Sequence, residues 1–330
     1  MSVIPQGAIR LNTDSQKLEF YAQDQWWEMA TDVPTLDGGA RGFVCGGNVP
    51  SSKTNGIIAI NFATLATDTS FGDITSSRGG PAGAASRTRG IVAGGGEPSR
   101  VNKIDYFTMA TRASAVDFGD LTEGRSLDGG GLSSETRAVF GGGTNPSNSD
   151  VIDYITISAT GNAVDFGNLS AASSQTAGLS SPTRGIFCAF GPGVGNTMEF
   201  ITIATTGNST DFGDLAISTR AVGNGYGNSV RGEISGGLNP SAIDDRQSFI
   251  FATKGNTTHF GDLLGVRDNH MCASSPTRCV IGGGTFGGAP SNQIEYVNPT
   301  TSGSAVDTNT TLANAPSGSA GLSNAHGGLG

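Results

Sequence analysis

From residue 36 onward, apolar positions come in short runs separated by links rich in Gly, Ser, Thr and Pro. The stretch Thr176–Leu215 shows the unit. A small-residue strand, Thr176-Ala177-Gly178-Leu179-Ser180, leads through Ser181-Pro182-Thr183 into a second strand running from Arg184 to Phe190. A glycine-containing loop precedes a third strand, Met198–Ile203. The turn Ala204-Thr205-Thr206-Gly207-Asn208 then precedes a fourth, Thr210–Leu215. Gly207 is expected to supply the positive φ that such a hairpin turn requires. The equivalent third strand Ile152-Asp153-Tyr154-Ile155-Thr156-Ile157 is apolar on both faces, which predicts a strand covered on both sides. The 52 glycines exclude a long-helix protein, because each interior glycine costs a helix about 1 kcal/mol.

The unit repeats on two independent rulers. Phe-Gly-Asp or Phe-Gly-Asn begins at Phe71, Phe118, Phe166, Phe212 and Phe260, at spacings of 47, 48, 46 and 48 residues. A sixth, decayed copy is Val306-Asp307-Thr308. An arginine opening a β-rich run recurs at Arg41, Arg89, Arg137, Arg184, Arg231 and Arg278, at spacings of 48, 48, 47, 47 and 47. Six four-stranded copies, each doubly covered, predict an all-β fold, a six-bladed β-propeller over residues 36–330, with seven blades as the alternative. The opening copy has a poor first strand in Thr35–Gly39. Ala320-Gly321-Leu322-Ser323 repeats the first-strand pattern of Gly131-Leu132-Ser133 and Gly178-Leu179-Ser180. Residues 320–324 are therefore expected to supply the innermost strand of the first blade. A degenerate second strand is expected after them, with His326 in the arginine slot. Residues 1–35 stand outside the repeat and read as three short strands: Gly7–Asn12, Lys17–Tyr21 and Gln25–Met29.

The formal charge is 19 − 28 = −9 with a pI near 4.7, which argues against bulk attraction to nucleic acid or to an anionic membrane. Cys45, Cys188, Cys272 and Cys279 lack the paired spacings of zinc or redox sites, and Cys45 and Cys188, each four residues after a repeated arginine, read as small buried strand residues. The opening Met1-Ser2-Val3-Ile4-Pro5 has no signal-peptide pattern, and no apolar run is long enough to span a membrane.

Catalytic chemistry is poorly supplied. The three histidines, His259, His270 and His326, fall in different copies or strand positions, too few for a convergent histidine–tyrosine metal site. Asp117, Asp165 and Asp211 recur once per copy, as do the arginines. Residues present in every copy are expected to serve ring-wide Arg–carboxylate pairs and turn hydrogen bonds. No cofactor, no metal and no enzymatic activity are expected. Loops joining strands one to two and three to four are near-identical and share one face. Loops joining strands two to three, and each copy to the next, share the other face and vary. Candidate ligand-binding residues on that variable face are Arg100, Asp244, Asp245, Arg246, Arg267, Asp268, His270 and Phe286.

Two resemblances add to this reading. Gly94-Gly95-Gly96, Gly141-Gly142-Gly143 and Gly282-Gly283-Gly284 end second strands. They are followed by third-strand aromatics Tyr106, Tyr154, Phe200, Phe249 and Tyr296. This pattern resembles the kelch repeat, with the departure that phenylalanine stands where tryptophan is usual. The N-terminal Gly7-Ala8-Ile9-Arg10-Leu11-Asn12, Leu18-Glu19-Phe20-Tyr21 and Gln25-Trp26 are similar to short modules near the N-termini of tailed-phage virion proteins. The Asp-Tyr-Ile-Thr-Ile and Asp-Phe-Gly-Asp-Leu strings are likewise similar to phage virion propellers. The resemblance implies a virion structural protein, localised to the particle and attached through residues 1–35, with Tyr21, Trp26 and Trp27 as attachment residues. It would contact other virion proteins and a host-surface glycan or protein, with homo-oligomerisation open. A free-standing lectin-like or protein-binding propeller is the alternative.

Overall fold

A computed structural model describes residues 5–12, 17–28, 40–188 and 193–329. The chain divides into two compact units, Met1–Gly39 and Ala40–Gly330. The boundary expected at 35/36, and the poor first strand at Thr35–Gly39, lie outside the described residues.

The first unit is an antiparallel three-stranded sheet of Ile9–Asn12, Lys17–Ala22 and Gln25–Glu28, in that order. Gln23 and Asp24 turn the second strand into the third with φ of 51° and 58°, a left-handed pair suited to a tight hairpin. Arg10 ties this sheet together. Its Nε reaches Glu19 Oε2 at 2.8 Å, and its guanidinium lies 4.1 Å from the Trp26 ring centroid.

The second unit is all β. Its described residues form six sheets of four principal strands each, all antiparallel. Sheet 1 orders Ala320–Ser323, Arg41–Cys45, Gly56–Asn61 and Thr67–Asp73. Sheet 2 orders Ala82–Ala85, Arg89–Ala93, Lys103–Thr108 and Val116–Asp120. Sheet 3 comprises Gly131–Ser133, Arg137–Gly141, Ser147–Thr156 and Val164–Ser173. Sheet 4 has Ala177–Ser180, Arg184–Cys188, Gly195–Thr202 and Thr210–Thr219. Sheet 5 has Tyr226–Gly227, Arg231–Ser235, Asp245–Ile250 and Thr258–Asp262. Sheet 6 has Met271–Ser274, Cys279–Gly282, Gln293–Val297 and Val306–Thr311. Sheet 1 joins the two ends of this unit, with Ala320 opposite Cys45 and Ser323 opposite Gly42.

The apolar side chains collect between sheets. Phe43, Phe71, Val92 and Phe107 pack between sheets 1 and 2, whereas Ile91, Phe118, Phe140 and Ile155 pack between 2 and 3. Similar clusters follow at each later pair, and Val44, Ile58, Met271 and Ile294 fill the space between sheets 6 and 1. The third strand of sheet 3 serves two clusters at once, Ile155 on one face and Ile152 on the other.

After Ser323 the chain makes a turn and a short 3₁₀ segment, Gly327–Leu329, in place of the second strand expected around His326. Sheet 1 already owns a second strand, Arg41–Cys45, so no pairing edge remains for another.

Candidate functional site

The residues that set the two sequence rulers work between sheets. In Phe-Gly-Asp the glycine is an approach point for the next sheet's Thr-Gly-Asn turn. A Cβ on Gly167 would stand 2.5 Å from Gly207 O and 2.6 Å from its carbonyl carbon, and Gly167 has φ +145°. Gly207 N donates to Phe166 O at 2.7 Å, and Asn168 N donates to Asn208 Oδ1 at 3.0 Å. The joint recurs at Gly161 on Phe118, Gly255 on Phe212 and Gly303 on Phe260. Gly207 itself has φ +154°.

The ruler arginines do not pair with the repeated aspartates, contrary to expectation. Asp117, Asp165 and Asp211 are exposed. Arg89, Arg137, Arg184 and Arg278 instead lie 4.8, 4.6, 5.2 and 4.9 Å from the centroids of Tyr106, Tyr154, Phe200 and Tyr296. Each donates to a backbone carbonyl of the following sheet's third-strand end: Arg89 to Ile157, Arg137 to Ile203, Arg184 to Phe251 and Arg278 to Phe62. Stacking plus a charge-assisted hydrogen bond explains why arginine is kept at this place. In sheet 5 the expected aromatic, Phe249, is one residue out of register. It faces Gly232, as Phe107 faces Gly90, and Ser248 takes the aromatic's place. A one-residue shift puts Phe249 on the opposite face, and Arg231 bonds Ser248 Oγ at 3.0 Å and stacks on Phe260.

A second set of buried charges was not legible in the repeat. Arg78 pairs with Asp105, Arg125 Nη2 with Asp153 Oδ2 at 2.8 Å, and Arg267 Nε with Glu295 Oε1 at 3.0 Å, all fully buried. Each pair links a chain crossing to the next sheet's third strand. Their positions can be followed around the unit, because Gly47, Gly95, Gly143, Gly237 and Gly284 donate to the carbonyls of Arg78, Arg125, Ser173, Arg267 and Pro316. Where Ser173 replaces arginine, Glu199 is held by the hydroxyls of Ser170 and Ser209. Where Pro316 replaces it, the facing position is the apolar Ile58. An uncompensated buried charge costs several kcal/mol, so charge and partner vary together.

First strands of all six sheets line a cavity of about 50 Å³, enough for a few water molecules. Crowding there explains the small residues: a Cβ on Gly83 would stand 2.6 Å from Gly321 O, and one on Gly178 would stand 2.5 Å from Gly131 O. At the starts of these strands runs a backbone collar. Asp128 N donates to Gly80 O, Gly80 N to Gly318 O, Gly318 N to Asn269 O, and Asn269 N to Ala221 O, at 2.7–3.0 Å. Asp128, Ala221 and Asn269 adopt φ of 46°, 54° and 50° to do so. Removal from water pushes the Asp128 carboxyl up to about 6, against the opposing pull of Ser126 and Arg100. At the strand ends sits the C-terminal tail. His326 Nδ1 accepts from Gly328 N at 3.0 Å, and its Nε2 lies 3.0 Å from Ala85 O and 3.2 Å from Ser133 Oγ. This arrangement requires the neutral ring with its proton on Nε2, and burial lowers the His326 pKa to about 4.

The loops joining second and third strands vary less than expected. Among the described residues, four of them form two-residue ribbons around a shared Pro-Ser tip, at Pro50-Ser51, Pro98-Ser99, Pro146-Ser147 and Pro240-Ser241. Of the candidate ligand-binding residues, Arg100 is exposed, and Asp244 and Phe286 are half-buried. Arg246, Arg267 and His270 are buried at 1, 0 and 1% exposure, and Asp245 and Asp268 at 9 and 8%, instead of standing on a loop surface. The physical reason is pairing. Arg246 Nη2 meets Glu233 Oε2 at 2.6 Å, Arg267 meets Glu295, Asp245 meets His259, and Asp268 accepts from Asn269 Nδ2. Arg267 also lies 4.8 Å from the Phe286 ring centroid. Burial holds the His270 ring neutral, with its pKa lowered to about 3. In the N-terminal unit Tyr21 and Trp26 pack at 5.3 Å, ring to ring, while the side chain of Trp27 lies outside the described residues.

All four cysteines are buried free thiols, and burial raises the pKa of each. No helix among the described residues is long and apolar enough to cross a membrane. No protein-family model matches the chain, and no curated protein is similar to it at a significant level.

Proposed function

We propose that the second unit is a six-bladed, kelch-like β-propeller, and that the chain is a non-enzymatic structural protein of a tailed-phage virion. The six four-stranded sheets with a cluster between each consecutive pair, including 6 and 1, support the ring. So does the pairing of Ala320–Ser323 with Arg41–Cys45, which leaves no first strand unmatched. In this reading the N-terminal sheet attaches the chain to other virion proteins, and the propeller is displayed for decoration or host-surface contact.

The observation that carries the functional part is the division of labour along the chain. Residues recurring in the propeller are spent on joints between sheets, and the cavity at its centre is narrow and bordered by the chain's own tail. The separate N-terminal sheet offers surface for partners. There Ile9 is 64% and Phe20 37% exposed, apolar area that a docking partner would cover.

The test uses particles grown with full-length or truncated chain, probed by immunogold labelling with antibodies to the propeller. Loss of labelling on deletion of residues 1–35, with unchanged circular dichroism of the purified truncated chain, is expected. Equal labelling of both particles, or none with the full-length chain, would count against the proposal. Specific glycan-array binding by a chain absent from particles would favour a free-standing lectin-like propeller.

A further inference from the structure

Sheet 5 departs from its neighbours where its third and fourth strands pair. The corresponding cross-strand partners are Lys103 with Asp120 in sheet 2, Val151 with Asn168 in sheet 3 and Thr197 with Asp214 in sheet 4. In sheet 5 they are Asp245 and Asp262, two like charges directly opposite one another. That arrangement is destabilising unless a positive charge lies between them. His259 stands beside them, at the position where sheets 2, 3 and 4 carry Asp117, Asp165 and Asp211.

We propose that Asp245, His259 and Asp262 form a binding site for a borderline divalent cation of the Zn²⁺ type. One ligand atom from each of the three lies within 4.8 Å of the other two. Ligand atoms about 2.1 Å from a common ion stand about 3.4 Å apart in a tetrahedral site, so a small side-chain adjustment closes the set. His259 can make that adjustment, because its side chain is 61% exposed. Asp245 is only 9% exposed. One of its oxygens meets His259 Nδ1, and Oδ2 is shut off from solvent without a hydrogen bond among the described residues. A buried carboxylate oxygen left without a donor is the group a cation would satisfy. One imidazole and two carboxylates favour Zn²⁺ over Mg²⁺ or Ca²⁺, which take oxygen ligands, and the exposed side leaves room for water.

The neighbouring charges are consistent with cation binding. Arg246, whose charge acts on His259, is paired with Glu233 and bonded to Gly303 O. His259 Nδ1 lies 2.5 Å from Asp245 Oδ1, so the imidazole nitrogen and the carboxylate already face one another. The ion would clip the third and fourth strands of sheet 5 together.

Isothermal titration of the chelator-stripped full-length chain with ZnCl₂ tests this, with MgCl₂ as control and thermal unfolding as a second readout. One saturable Zn²⁺ site per chain and a Zn²⁺-dependent rise in Tm are expected, with no response to Mg²⁺. Asp245→Lys copies the Lys103–Asp120 pairing of sheet 2, and His259→Ala removes an exposed ring. Both are expected to remain folded and to weaken Zn²⁺ at least about tenfold. Absence of saturable Zn²⁺ binding by the unaltered chain would overturn the proposal in favour of a simple His259–Asp245 ion pair. Binding retained by both folded variants would overturn it too, as stray surface coordination.

Discussion

Replacing Gly167 with alanine tests the account of the Phe-Gly-Asp ruler. The backbone there has φ +145°, and the added Cβ would stand 2.5 Å from Gly207 O, 2.6 Å from Gly207 C and 2.9 Å from Asn208 N. These are backbone atoms of the next sheet's turn and cannot swing aside as a side chain can. Relief requires the turn to lift, which strains Gly207 N–Phe166 O, Asn168 N–Asn208 Oδ1 and Ser209 N–Asn168 O. Gly161→Ala supplies the control. Its φ is +155°, equally unfavourable for alanine, but nothing lies within 4 Å of the added Cβ. Backbone strain costs about 1–3 kcal/mol in either variant. Three weakened hydrogen bonds at about 1 kcal/mol each add about 2–3 kcal/mol to Gly167→Ala alone. Urea unfolding of both variants and the parent, followed by tryptophan-independent far-UV circular dichroism, measures the difference. A gap of about 2 kcal/mol or more in favour of Gly161→Ala is expected. Equal losses would refute the claim that the motif's glycine exists for the contact between sheets.

The buried charges predict strong coupling. Arg125→Met strands Asp153 and is expected to cost about 3–5 kcal/mol, whereas the Arg125→Met/Asp153→Leu pair, imitating the apolar Pro316–Ile58 joint, should recover most of it. A double-mutant cycle by denaturant unfolding checks this, and additive losses would argue against a coupled pair. Acid should loosen the tail. The His326 pKa is lowered from its ordinary 6.5 to about 4, so the folded state binds fewer protons than the unfolded one between those values. Stability from this group is complete above pH 6.5 and is lost as pH falls toward 4, on the order of 3 kcal/mol at most. Hydrogen-exchange protection factors at residues 326–329, corrected for the intrinsic pH dependence of exchange, should fall over that window, and His326→Ala should flatten the response. Asp128 has the opposite sign. With its pKa raised to about 6, its ionisation works against folding as pH rises from about 4 to 6. Asp128→Asn is therefore expected to raise Tm at pH 7 relative to the parent, read by calorimetry.

Much of this architecture is local enough to be written in the repeat. Phe-Gly-Asp and the glycine turns recur because, at four of the joints, one backbone turn meets one backbone strand so closely that a Cβ on the strand glycine would clash. The phase of Gly-Leu-Ser marked Ala320–Ser323 as a first strand, and the chain pairs it with Arg41–Cys45. Periodicity failed where identity and environment separate. Phe249 looks like the third-strand aromatic, but register turns it to the other face and leaves Ser248 under Arg231. Arg246 and Arg267 sit beside polar residues in sequence and looked like loop-face residues, yet their partners Glu233 and Glu295 take them inside.

By itself, the sequence determined the strand count per repeat, the repeat length and the small residues that crowd together. These depend on local turn chemistry and on backbone room, which act through neighbouring residues or through identical joints. Only the tertiary structure decided which charges are buried, that the tail borders the cavity, and that Asp245, His259 and Asp262 converge. Those facts depend on contacts between residues far apart in the chain, or on cross-strand register. Burial and charge compensation are properties of the finished neighbourhood, since the same arginine costs several kcal/mol or stabilises the fold according to what faces it.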